Sequence, residues 1–255
     1  MKTQEKNFDG IKLSGFTAIL IMLALTGTAI YLLSLPQTPS IIAGVICGIC
    51  VVVMLPGFMI IQPNNSRVLT FFGRYAGTVI SNGFYWVNPL FLKSTVTLRI
   101  LNLNIDPIKV NDKVGNPIMI GAVVVWRIKD TYKASFDISG NIREFVQIQS
   151  DAALRQVAGM YAYDTNETID KVTLRSDESG EITQRLEDEL NSRLAIAGIE
   201  IVEARINYLA YASEIASVML RRQQADAIIS ARERIVEGAV SMVPLALEKL
   251  EKDGV

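Results

Sequence analysis

Two stretches of the chain, Phe16 to Leu35 and Ile41 to Ile61, are predominantly apolar, and residues 13–66 contain no Asp, Glu, Lys or Arg. A helix of about 20 apolar residues crosses a hydrocarbon core, so the pattern predicts two spans, 16–35 and 41–61. Pro36-Gln37-Thr38-Pro39-Ser40 between them has a turn composition. Residues 15–61 are therefore expected to form a membrane hairpin behind a segment, 1–14, that carries Lys2, Lys6 and Lys12. A cleaved signal peptide has an apolar core of about 7 to 15 residues, which is shorter than the first stretch, and here a second apolar stretch follows at once. A hairpin that enters and leaves one leaflet gives the same pattern as two full crossings.

After Arg67 the period shortens. Arg67–Phe72, Thr78–Ser81, Gly83–Val87 and Thr95–Ile105 read as strands punctuated by Gly73, Gly77 and Asn82-Gly83. In the last of these the apolar residues move from even positions (Val96, Leu98, Ile100) to odd ones (Leu101, Leu103, Ile105), a phase slip that predicts a bulge. Asp112 to Pro117 reads as a turn, and Ile118 to Arg127 as a strand apolar on nearly both faces and hence central. Ile142, Phe145, Val146, Gln149, Ala153, Val157 and Met160 fall at helical spacing, as do Ile182, Leu186, Leu190 and Leu194 before Gly198. Glu200–Tyr208 then reads as a strand. The order predicts an α+β module over 66–212, with an antiparallel-rich sheet and packed helices segregated from it.

Residues 213–255 read as a helix rich in Ala, Arg, Gln and Glu, which Pro244 should end or bend. Its apolar positions, among them Val218, Ala225, Ile228 and Ile235, form a seam thinner than a buried helix needs, as in a coiled coil that seeks a partner. These four are the candidate interface residues. A solvated helix is the alternative.

Composition narrows the chemistry. The chain has no histidine, which excludes Ser-His and Cys-His nucleophile pairs and histidine-ligated metals. Its two cysteines, Cys47 and Cys50, lie inside the second apolar stretch, where they read as small packing residues beside Gly44 and Gly48. The 25 basic and 26 acidic residues are interleaved, with no footprint for nucleic acid. The adjacent carboxylates Glu187/Asp188 and Asp177/Glu178 point in different directions on a helix and read as solvated charge. No phosphate-binding, zinc-protease or nucleophile-elbow motif occurs, so no catalytic, cofactor-binding or metal-binding residue and no cofactor is expected. A channel is disfavoured by the lack of intramembrane charge.

Several segments in order carry a resemblance. "VLTFFGRYAGT" (Val68–Thr78), "NGFYWVNPL" (Asn82–Leu90), "VTLRILNLNI", "KVNDKVGNPI" with "AVVVWRIKD", and "DAALRQVAGMYAYD" (Asp151–Asp164) together resemble the SPFH, or Band 7, superfamily of stomatin, prohibitin and flotillin. The resemblance covers Arg67 to about Asn207. It implies a non-enzymatic membrane scaffold that self-associates into large homo-oligomers such as rings or cages. Its partners would be copies of itself, membrane lipids and enclosed membrane proteins. The alternative is a regulatory subunit dedicated to one membrane protease or channel. The chain departs from the common layouts by having two full-length apolar stretches. Its final helix is also short, with Ser213 to Val243 reaching on the order of 45 Å. The lysines before the first span and Arg67 and Arg74 after the second place the module on the cytoplasmic side by the positive-inside rule. Removing residues 1–61 is expected to release a folded, soluble module.

Overall fold

The computed structural model describes residues 5–164, 172–176 and 180–252, with side chains as far as Pro244. Lys2, Asp177 and Glu178 lie outside the described residues. Contacts group the chain into two units, one comprising residues 1–103, 124–150 and 187–204, the other 104–123, 151–186 and 205–255.

In the first unit, helices α1 (Gly15–Ser34) and α2 (Thr38–Met54) pack against each other. The connector is only 35–37, because Pro39 takes the first turn of α2, where a missing N–H costs nothing. A Cβ on Gly44 would lie 2.8 Å from Leu33 Cγ and 3.2 Å from the Ala29 carbonyl oxygen, so glycine lets the two backbones approach. The second helix is shorter than the predicted span 41–61. Pro56 cannot continue it, and a single 3-10 turn (Leu55–Gly57) leads into strand β2 (Phe58–Ile61). The module thus begins eight residues before the expected boundary at 66.

Strand β1 (Leu13–Ser14) and β2 flank β5 (Gly83–Trp86) in the order β1-β5-β2, and β4 (Arg74–Val79), β3 (Asn65–Phe71) and β6 (Phe91–Thr97) form a second sheet in the order β4-β3-β6. Every pairing in these two sheets is antiparallel. Their shared core is Phe8, Met59, Ile61, Leu69, Val79 and Val87. Half of these residues belong to 1–61, so that segment is part of the module's interior, and its removal takes half of this core with it. Helix α3 (Thr131–Phe136), absent from the sequence pattern, is capped by Asp130, whose carboxylate accepts from Lys133 N at 3.0 Å.

Strands β7 (Leu101–Asn111), β8 (Pro117–Ile128) and β9 (Ile199–Tyr211) make the third sheet, with β8 in the middle as its two apolar faces predict. The predicted strand 95–105 is therefore two strands of different sheets. The phase slip at Leu98–Ile100 is a break rather than a bulge. Helix α5 (Glu181–Leu194) follows its predicted stripe, with Ile182, Leu186, Leu190 and Leu194 fully buried, and α4 (Ile142–Ala158) buries Val146, Ala153 and Val157 of its own, whereas Met160 lies beyond its end and is exposed. Gly198, in the left-handed region (φ 69°), closes the 3-10 turn (Ala195–Ala197) that follows α5. Its carbonyl accepts from Lys129 N and Asp130 N at 2.8 and 3.0 Å.

In the second unit, the turn between β7 and β8 is organised by Asp112, which is 5% exposed. Its carboxylate accepts from Val114 N (3.0 Å), Asn116 N (2.7 Å), Asn116 Nδ2 (3.2 Å) and Tyr163 N (3.1 Å). Helix α6 (Ser213–Lys252) starts where the Ala212 carbonyl accepts from Ile215 and Ala216, and of the two expected outcomes at Pro244 an end is not the one found, since the helix continues through it.

Candidate functional site

Two surfaces carry the chemistry of this chain. The first is the collar that receives the helix pair. The last carbonyls of a helix have no partner within it, and here the module supplies them. Trp86 Nε1 donates to the Met54 carbonyl at 2.9 Å, and Val87 N donates to the Gly57 carbonyl at 3.0 Å. Lys93 Nζ donates to the Pro56 carbonyl and, at 3.4 Å, to that of Phe58. Burial, and then the nearby Arg67 guanidinium, hold the Lys93 ammonium below the ordinary lysine value. Leu13 and Phe58 both pair with Trp86 from opposite edges, so the strand that leads into α1 and the strand that leaves α2 meet on one residue.

The segment before β1 is sewn to the same unit. Phe8 N donates to the Thr78 carbonyl (3.0 Å), and Thr78 N donates to that of Lys6 (2.9 Å). A hydroxyl chain continues inward. Tyr75 OH lies 2.7 Å from Thr78 Oγ1, which lies 3.0 Å from Thr131 Oγ1, which donates to Glu5 Oε1 at 2.7 Å. Thr78 and Thr131 are buried, so these contacts satisfy groups that would otherwise lose hydrogen bonds on folding.

Nothing local in the sequence pairs Lys93 with Pro56 or Glu5 with Thr131. Glu187 likewise is not merely solvated. Its carboxylate accepts from Ala204 N at 3.1 Å, because α5 lies beside the start of β9.

The profile of the SPFH domain / Band 7 family matches residues 59–239, which is most of the chain and starts one residue inside β2. The chain belongs to the SPFH/Band 7 family. No curated protein matches the chain. The Band 7 match covers every strand but β1, together with α3 to α5, and it runs well into α6. Ahead of it lie two helices long and apolar enough to cross a membrane, each only 11% buried over its most apolar window.

The second surface is α6. Val218, Ala225, Ile228 and Ile235 are all exposed on it, and none is covered by the described residues. At about 100° per residue, Val218 and Ala225 share one line along the helix, while Ile228 and Ile235 share another about a quarter-turn away. Ile229, Val236, Val240 and Val243 extend the first line and are exposed as well. Val218, Ile229 and Val240 stand 11 residues apart, as do Ala225 and Val236. An 11-residue repeat keeps an apolar line nearly straight, without the left-handed supercoil of heptads. That spacing was legible in the sequence but is obscured there by Arg221 and Arg232 between the two lines.

Proposed function

We propose that this Band 7 protein is a membrane-anchored scaffold that assembles with copies of itself through α6 and organises membrane patches or encloses other membrane proteins. The observation that supports the assembly is the exposed apolar line from Val218 to Val243 on a helix that also carries Arg221, Arg222, Asp226, Arg232, Glu233, Arg234 and Glu237. A neighbouring α6 would bury that line and pair those charges. Anchoring confines the copies to two dimensions and raises their effective concentration. The basic residues on both flanks of the helix pair, Lys6 and Lys12 before it and Arg67 and Arg74 after it, favour a cytoplasmic module. The reading needs no catalytic group and no cofactor.

The test is the mass and shape of the full chain extracted from its membrane in mild detergent and imaged as single particles. A closed ring or cage of many copies is the expected result. A monomer or small dimer would overturn the assembly. A second protein held at a fixed small ratio would instead make the chain a dedicated subunit of a membrane protease or channel.

A further inference from the structure

Helix α6 is held along its first turns and bare beyond them. Ile215, Met219, Gln223 and Asp226 are partly buried, and at about 100° per residue they share one side of the helix, clear of the apolar lines. From Ala227 to Pro244 every residue but Gly238 is exposed. Within the second unit, the module supplies a polar partner near each end of the held part. Lys109 of β7 pairs with Glu214 in the first turn, and Arg155 Nη1 donates to the Lys109 carbonyl at 3.2 Å. Further along, Gln223 Nε2 donates to Asp164 Oδ2 at 3.5 Å, an oxygen that also accepts from Arg175 Nη1 at 3.0 Å.

Asp164 is itself placed by the fold. The residue before it, Tyr163, donates its N–H to Asp112, the carboxylate that organises the β7–β8 turn, at 3.1 Å. The Tyr163 ring lies 4.0 Å from that of Tyr211, the last residue of β9. Burial first, then Asp164, Tyr163 and Asp112, hold the Tyr211 hydroxyl above the ordinary tyrosine value, while Arg222 of α6 pulls it the other way. One cluster thus gathers the β7–β8 turn, the end of β9 and the third turn of α6. An exposed ion pair is worth about 0.2 to 1 kcal/mol, too little to hold the module together but enough to choose among directions of a helix already formed. The held part is about 21 Å long and the rest, Ala227–Lys252, about 39 Å. A tilt of about 10° at the held part swings the far end by about 7 Å, close to the 8 to 10 Å that separates packed helices.

We infer that Lys109 and the Tyr163-Asp164 step form a seat that sets the direction in which α6 leaves the module, and through it whether the apolar lines of neighbouring copies meet. The direction is a property of the single chain. Its effect on neighbours rests on the reading that copies assemble through α6.

The experiment uses the full chain in mild detergent, with Cys47→Ser and Cys50→Ser. Spin labels sit on Val114→Cys, in the β7–β8 turn, and on Ser230→Cys, past the seat on the side of α6 away from the apolar lines. Dilution with unlabelled chain restricts the measured distances to those within one copy. The parent should give one narrow distance. Glu214→Lys with Gln223→Glu sets like charges against Lys109 and Asp164. This variant should widen the distance distribution by about twofold or more and lower the particle mass, with the thermal unfolding midpoint unchanged. Adding Lys109→Glu and Asp164→Asn gives both new side chains a partner again and should restore the narrow distance and the mass. A broad distance in the parent, a narrow one in the like-charge variant, or no recovery with the compensating pair would overturn the seat. A widened distance with unchanged mass would overturn its effect on assembly. A narrow distance in a parent that is monomeric would leave the seat standing and remove the assembly reading instead.

Discussion

The α1/α2 pair and α6 both display long apolar side chains to their surroundings, and they do so in opposite ways. On α1 and α2 the exposed residues run all round the helices, from Phe16 and Leu20 to Ile42 and Val52, with no charge among them. A surface apolar on every side suits a hydrocarbon medium. On α6 they follow narrow lines between Arg and Glu, the pattern that the proposed assembly would cover with a second protein surface while leaving the charges wet. Exposure alone thus says little about a partner; its distribution around the helix axis separates lipid from protein. The two regions differ also in how they are closed. The helix pair is tied by its own chain to a sheet at both ends, whereas nothing among the described residues covers the α6 line.

The comparison breaks most visibly at the ties. Removing residues 1–61 takes Phe8, Met59 and Ile61 from one core, and the remainder is expected to lose cooperative thermal unfolding as followed by tryptophan fluorescence. Phe8→Ala alone should cost about 3 to 5 kcal/mol in denaturant unfolding of the full chain in detergent; a cost near zero would mean the N-terminal strap is not part of the fold. Next comes the contact inside the hairpin. Gly44→Ile pushes a branched side chain against Leu33 and the Ala29 carbonyl, and a loss of about 1 to 3 kcal/mol is expected by the same measurement.

For α6 the expected effect on stability is small and the effect on assembly large. Ile228→Asp with Ile235→Asp should change unfolding by about 0.5 kcal/mol or less, since both side chains are already exposed, while the particle mass falls. Unchanged mass would remove these residues from the interface. The smallest effect concerns Glu200, whose carboxylate bonds Lys129 Nζ at 2.8 Å and Arg127 Nε at 2.7 Å. Those two cations, Lys129 first, hold it below the ordinary glutamate range. Its contribution is therefore present above that range and is lost as pH falls through the lowered folded value. Glu200→Gln should flatten that part of the acid limb of a stability-against-pH curve, by well under about 1 kcal/mol for so exposed a pair of bonds.

The legible parts of the chain were those with a sustained local pattern. The helix pair, the two-faced strand β8 and the α5 stripe that ends at Gly198 all follow from periodicity and composition. Phe58–Ile61 was absorbed into the second span because four apolar residues after an apolar helix carry no period of their own; Pro56-Gly57 was the available signal. The collar and the strap were illegible for a different reason. Lys6 and Tyr75 are 69 residues apart, and Glu5 and Thr131 are 126 apart. A single Phe8 among polar neighbours gives no hint of the core it fills. The exposed positions of α6 could be read from the sequence directly, whereas a partner is not a property of the helix that awaits it.

The strap also sets a timetable. Residues 5–14 are made before the groups that hold them: the strand that holds Leu13 is not made until Trp86, nor the hydroxyl that holds Glu5 until Thr131. At about 5 to 20 residues per second, roughly 6 to 25 seconds of synthesis separate Glu5 from its partner. Both apolar helices are made during that interval, before the strap can close on Thr131. Glu5 waits unfastened while the helix pair and strands β2 to β6 are synthesised.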